Sequence, residues 1–382
     1  MTNRLLSPGA QVVVRPQDLQ GIIDSLARRG FRVMGPRVRD GAIVYDDLAA
    51  VAELPVGWTE AAGPGKYRME RRADGALFGY STGPTAWKRF LNPPAQRIGQ
   101  ARLKASAFRA FEITDDPPDN AKMAFFGVRP CDLRAIEIQD RVFTGGAYVD
   151  PGYHARRLSA FVLVANCTGA GGTCFCDSLQ TGPRADTGFD LSLTEVIDEQ
   201  RHFLLFEVGT ELGAEVLEEA SYSEPEAEDK LAADAAIARA AGEMGRSLDT
   251  VGLKELLERS FDHVMWDQVA ARCLTCSNCT LVCPTCFCSN VEDVTDLTGN
   301  HAERWRKWDS CFALDFSYIH GGSIRTSVYA RYRQWMMHKL SAWYDQFGTS
   351  GCVGCGRCIT WCPAGIDITE QARILQQGET SG

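Results

Sequence analysis

In the first two thirds of the chain the apolar residues gather in short blocks, whereas in the last third they recur every three or four positions. Residues 11–15 form a β-prone run, 16–29 have helical spacing with Pro16 at the start, and 31–34 are β-prone again. Residues 66–70 and 76–80, on either side of Ala73-Asp74-Gly75, read as the two arms of a hairpin. The runs 122–128, 160–165 and 202–208 are apolar, of strand length, and bounded by proline, glycine or charged residues. This alternation predicts an α/β (or α+β) domain with a mixed sheet over residues 1–245. Residues 211–230 are strongly acidic and contain Pro225, which reads as a solvated helix and loop or as an exposed connection between domains.

From Leu231 onward helical spacing dominates, over 231–243, 253–261 and 264–271, and the last of these runs directly into Cys273. Residues 326–347 read as one amphipathic helix with Tyr329, Tyr332, Trp335, Met336, Leu340 and Trp343 on a single face, a set that fits a core. Residues 246–382 are therefore expected to form an α-helical ferredoxin domain whose cysteine loops hang from helix ends, with a helical insert between them. A length of 382 residues exceeds what one hydrophobic core supports, in keeping with two domains.

Cysteine changes this picture most. The 15 cysteines fall in tight C-x-x-C and C-x-C groups, which indicates metal binding and a reducing compartment, the cytoplasm, instead of disulfides. Two runs, Cys273-x-x-Cys276-x-x-Cys279-x-x-x-Cys283-Pro284 and Cys352-x-x-Cys355-x-x-Cys358-x-x-x-Cys362-Pro363, carry the ligand spacing of a protein with two [4Fe–4S] clusters. In that spacing the fourth cysteine of each run crosses to the other cluster. One cluster is thus expected on Cys273, Cys276, Cys279 and Cys362, and the other on Cys352, Cys355, Cys358 and Cys283. Structural zinc needs two C-x-x-C pairs per site and has no use for a third cysteine at the same interval or for the proline.

Seven cysteines remain of the 15 once these eight are set aside. Cys131, Cys167, Cys174 and Cys176 lie at the ends of expected strands, with Gly169-Ala170-Gly171-Gly172 between them, and suit a third [4Fe–4S] site; buried free thiols are the plainer reading. A phosphate cradle over Gly169–Gly172 lacks both the P-loop lysine and the dinucleotide glycine register. Cys286, Cys288 and Cys311 are one thiolate short of a further site, for which Asp309, His301 or a cysteine of the other group could supply the fourth ligand. Thr285-Cys286-Phe287-Cys288 repeats Thr173-Cys174-Phe175-Cys176, so the two segments are expected to face each other or to serve equivalent roles.

The stretches Phe126–Ala135 (FGVRPCDLRA), Gly172–Cys176 and Cys352–Ile359 resemble the β subunit of soluble NAD(P)-linked [NiFe]-hydrogenases of the sulfhydrogenase type, and the chain is also similar to the A subunit of anaerobic sulfite reductase. The resemblance spans residues 12–367 and implies an iron–sulfur electron-transfer subunit. It further implies a hetero-oligomer with a flavoprotein NAD(P)-binding subunit and hydrogenase subunits. No nickel-binding C-x-x-C pairs stand at the two ends of the chain and no convincing dinucleotide fingerprint occurs, so hydrogen and hydride chemistry would belong to partners.

The formal charge of −9, made more negative by cluster thiolates, excludes nucleic-acid binding of the basic-face type. No 18-residue apolar run and no export signal are expected; Arg28-Arg29 lies too deep and lacks an apolar run after it. Arg272, Lys307, Arg331, Arg333, Lys339 and Arg357 lie near the cysteine runs and could offset cluster charge.

Overall fold

The computed structural model describes residues 6–104, 110–117, 119, 121–199 and 201–379. The expectation of no export signal falls in part on residues 1–5, which lie outside the described residues.

Thirteen strands are described, β1 (Gln11–Val14), β2 (Arg32–Arg39), β3 (Ala42–Asp47), β4 (Trp58–Gly63), β5 (Lys66–Arg71), β6 (Ala95–Leu103), β7 (Phe111–Asp115), β8 (Met123–Val128), β9 (Ala160–Ala165), β10 (Leu191–Ile197), β11 (His202–Val208), β12 (Ser289–Thr295) and β13 (His301–Trp308). Seven of them form one mixed sheet in the order β1-β11-β10-β9-β8-β2-β3. The inner pairs β10–β9, β8–β9 and β2–β8 are parallel, and both edges are antiparallel. All six residues of β8 are buried, as expected for a parallel strand covered on both faces. Alternate side chains go to opposite cores. Ala124, Phe126, Phe161 and Leu163 join one, and Met123, Phe125, Val162 and Val164 the other. The helix Gln20–Arg28 packs in the first core, and the helices Pro130–Thr144 and Pro151–Leu158 in the second.

The strands expected over 11–15, 31–34, 122–128, 160–165 and 202–208 are all present. The expected hairpin is not. β5 pairs with β4 across the two-residue turn Pro64-Gly65, while 76–80 forms no strand. That stretch is buried in the first core, and the Leu77 and Phe78 N–H groups donate to the Glu195 carboxylate at 2.7 and 2.8 Å. The acidic stretch also differs from its surface reading. Ala214, Val216 and Leu217 of the helix Glu211–Leu217 enter the first core, and the next helix, Ala227–Gly242, starts inside the acidic segment.

The second portion carries the expected helices at Leu253–Arg259 and Met265–Ala270, followed by Val328–Met337, a π turn over His338–Ala342, and Trp343–Phe347. It is not wholly helical. Strands β12 and β13 lie between the cysteine runs and complete a four-stranded sheet, β12-β13-β6-β7, with strands from the first portion. The exposed, charge-alternating 289–308 segment shows no helical stripe, and its partners come from more than 180 residues upstream, so sequence periodicity misses the pairing.

Candidate metal centres

The two cysteine runs fold into the same loop. In the first, Thr275 and Ser277 take left-handed φ values of 49° and 66°; in the second, Gly354 and Gly356 take 63° and 74° at the equivalent positions. This conformation turns main-chain N–H groups onto sulfur. Thr275 N donates to Cys273 Sγ and Gly354 N to Cys352 Sγ, both at 3.5 Å, and Ile366 N donates to Cys362 Sγ at 3.3 Å. Such N–H···S contacts neutralise thiolate charge at a metal site. Two non-glycine residues held in the left-handed region mark a loop fixed by a functional constraint.

The folded loops bring thiols of the two runs close to one another. Burial pushes the Cys279 thiol well above the usual range, and neighbouring Cys273, Cys362 and Cys276 push it further. Cys273, Cys276, Cys279 and Cys362 line one cleft with Tyr332 and Trp335, and Cys358 of the second run also lines it. In the second set burial raises Cys352 to about 12, with Lys339 opposing and Cys355 and Cys283 adding to the rise. Cys358 is raised by burial and by Cys352, Cys355 and Cys283. No three His, Cys, Asp or Glu side chains among the described residues close to the spacing that holds a single metal ion.

The other four thiols of the first portion also converge. Cys131 opens the helix Pro130–Thr144 after β8, and Cys167 follows the neighbouring parallel strand β9, so both stand at the carboxyl ends of adjacent strands. Open α/β sheets bind ligands at that edge. Burial raises Cys174 to about 12, with Cys167 adding; Cys176 is raised by burial, Cys167 and Cys174, and Cys131 by burial, Asp132 and Cys176. Cys355 of the second run lies within electrostatic reach of Cys131, Cys174 and Cys176, so the two sets adjoin.

Buried cations surround these thiols. Arg129 is 1% exposed and donates to the carbonyls of Ala165, Phe78 and Tyr80. It also hydrogen-bonds Cys167, and burial of its charge is outweighed by Cys167, Tyr80 and Tyr45. Lys339, 3% exposed, donates to Cys283 Sγ at 3.1 Å and to Thr285 Oγ1 at 3.2 Å; Cys283, Cys286 and Cys352 outweigh its burial and hold it well above the usual range. Lys88, 4% exposed, donates to the carbonyls of Thr280 and Cys286 at 3.2 and 3.1 Å, and burial lowers it despite Cys286 and Cys283. None of these three makes an ion pair with a carboxylate among the described residues. Burying a cation without an anion costs several kcal/mol, on the order of the ion's effective desolvation penalty; thiols lie within electrostatic reach of all three cations, and the buried Glu60 carboxylate also lies within reach of Arg129. Arg357 differs. It is fully buried and makes a bidentate pair with Asp132 at 2.6 and 2.8 Å, locking the second run to the Cys131 helix.

Buried donors without partners complete the fit. Tyr332 Oη and Trp335 Nε1 border the first thiol set, and Arg129 Nε and Tyr80 Oη border Cys167; none of the four has a hydrogen-bond partner among the protein atoms. Cluster sulfides, which accept hydrogen bonds, suit such donors.

Of the cations expected near the runs, Lys339 and Arg357 touch the sites. Arg331 donates to the Phe312 carbonyl and lies within electrostatic reach of Cys273, whereas Arg333 lies over Phe261 and Lys307 pairs with Glu292 on the outer sheet. Lys88, Arg129 and Asp132 were not singled out from sequence, and Lys339 was named only for its charge. Lys339 stands four residues after Trp335, on the same face as the aromatics, a helical spacing that betrays a buried lysine. His301 lies at the far end of β13 from Cys311, with Nε2 against Gln100 Oε1, and is withdrawn as a ligand candidate. The threonines of both T-C-F-C segments contact the second run. Thr173 Oγ1 meets Thr360 Oγ1 at 2.7 Å and Thr285 Oγ1 donates to the Gly351 carbonyl at 2.7 Å, gripping the second run from both ends.

Paired loops of this kind with thiol sets, N–H···S contacts and unmatched cations define a two-cluster iron–sulfur protein. Residues 272–366 match the family of 4Fe–4S dicluster domains. Over 295 residues the chain is 33% identical to the sulfhydrogenase 2 subunit beta of Pyrococcus furiosus, an alignment that covers 76% of this chain and 85% of that protein. The chain belongs to the sulfhydrogenase subunit beta family and carries two [4Fe–4S] clusters.

Proposed function

We propose that this chain is the iron–sulfur electron-transfer subunit of a multi-subunit, NAD(P)-linked [NiFe]-hydrogenase in the cytoplasm. It would relay electrons between a flavoprotein that exchanges hydride with NAD(P)H and the hydrogen-activating module. Membership of a sulfhydrogenase subunit family, joined to the two buried thiol sets, carries this reading and does not favour the sulfite or polysulfide reductase alternative. Among the described residues no helix is long and apolar enough to cross a membrane.

Bound clusters supply one-electron redox chemistry at potentials set by burial and by hydrogen bonds to sulfur. Cys273, Cys276, Cys279 and Cys362 would hold one, and Cys352, Cys355, Cys358 and Cys283 the other. Cys131, Cys167, Cys174 and Cys176 would hold a third, with Arg129 as its counter-charge. Tyr332, Trp335, Met336 and Leu340 exclude water from the ferredoxin sites. Residues 1–245 form the α/β portion and 246–382 the ferredoxin portion in this reading, with β12 and β13 reaching back onto β6.

Native complex captured through this chain and analysed by mass spectrometry tests the assignment. Recovery of a hydrogenase large subunit with a flavoprotein is expected. A sirohaem protein in their place would overturn it.

A further inference from the structure

Lys88 and Lys339 come from opposite halves of the chain, yet both reach the loop 283–288. Lys339 touches Cys283, a ligand of the second cluster in the reading above, but Lys88 touches no proposed ligand of either ferredoxin cluster. Its Nζ lies on the Cys286 carbonyl and over the Trp308 ring at 4.2 Å, with no carboxylate ion pair. A buried ammonium needs an anion nearby, and the thiols within electrostatic reach of Lys88 are those of Cys286, Cys283 and Cys288, with Cys311 in turn beside Cys288.

These three converge although 23 residues separate Cys288 from Cys311. β12 and β13 pair Ser289 with Trp308, which brings the two strand ends together, and Asp309 N donates to the Cys288 carbonyl at 2.9 Å. Cys288 and Cys311 lie within electrostatic reach of each other, as do Cys286 and Cys283. The group therefore adjoins the second thiol set through Cys286, while Cys311 lies within electrostatic reach of Cys279 in the first.

We propose that Cys286, Cys288 and Cys311 hold a further iron–sulfur cluster between the two ferredoxin clusters, with Lys88 as its buried counter-charge. All other cysteines are committed elsewhere, so one iron lacks a protein thiolate, and Asp309, held beside Cys288 and two residues before Cys311, is the carboxylate at hand to complete it. This site rests on the electron-relay reading and adds a relay point to it.

The test is iron, acid-labile sulfide and zinc content of the anaerobically purified full chain, with Cys288→Ser, Cys311→Ser and Cys131→Ser compared under dithionite by electron paramagnetic resonance. Three cysteine-rich sites besides this one would give about twelve irons, and with it about sixteen. Loss of about four irons in both Cys288→Ser and Cys311→Ser, with the ferredoxin signals kept, supports the site whatever Cys131→Ser does. Unchanged iron in those two variants, or one zinc per chain lost with them, overturns it. Lys88→Met separates a counter-charge from a packing role. It should lower the iron content or shift one signal's reduction midpoint downward, and an unaltered count and midpoint would remove Lys88 from the site. Fewer than eight irons in the unmodified chain would instead sink the underlying relay reading.

Discussion

The two cysteine runs share a backbone and differ in setting. Around the first, Cys276 is exposed, alone among the 15 cysteines, and Leu274 and Leu281 are 65% and 42% exposed. Around the second, the loop is pressed against the α/β portion: Phe175 N donates to the Gly354 carbonyl at 2.8 Å, and Gly65 N to the Ile359 carbonyl at 3.0 Å. The left-handed positions record that difference. A Cβ at Gly354 would meet Cys176 N at 2.6 Å, and one at Gly356 would meet the Thr173 carbonyl oxygen at 2.4 Å, so only glycine fits there. The first run faces outward and tolerates Thr275 and Ser277. In the proposed relay, the first cluster would be the one placed for exchange with a partner, and the second for exchange inside the chain.

Four substitutions test this contrast. Cys358→Ala should have the largest effect, removing about four irons per chain and interrupting electron throughput while leaving the α/β portion folded. Iron analysis with circular dichroism checks it, and unchanged iron would contradict the assignment. Asp132→Ala strands a fully buried Arg357 and should cost about 3–5 kcal/mol in denaturant unfolding, whereas a loss near zero would mean the pair does not fasten the second run. Gly356→Ala adds about 1–3 kcal/mol of overlap and about 1–2 kcal/mol of backbone strain. Ser277→Gly in the first run should instead gain up to about 1 kcal/mol. Equal effects at the two positions would abolish the contrast.

The pH dependence of the metal-free chain is subtler. Cys174 and Cys352 are raised by burial to about 12, above an unfolded thiol near 8.5, so their contribution is complete below that value and disappears as pH rises towards 12. Thermal unfolding of the metal-free chain should weaken between pH 7.5 and 10. Loading releases thiol protons, so the loaded chain should not weaken likewise. A flat profile in both states would show that these thiols are not buried as described.

The strands β8, β9 and β11 and the ferredoxin helices were legible because each carries its own periodicity or apolar run. The two-cluster domain was legible because the cysteine intervals repeat. The β4–β5 hairpin was misread because the apolar content of 76–80 reports burial, not pairing. The β12–β13 sheet and the roles of Lys88, Arg129 and Asp132 were not visible, since each depends on a partner distant in sequence. The spacing of Lys339 on the Tyr332–Trp343 face could have been read, and it would have pointed to a buried charge.

Electron paramagnetic resonance of the anaerobically purified, dithionite-reduced chain, with iron and sulfide measured on the same sample, bears most directly on the account. It predicts reduced [4Fe–4S] signals from two magnetically interacting clusters and at least about eight irons per chain. A colourless, silent sample without labile sulfide would contradict it.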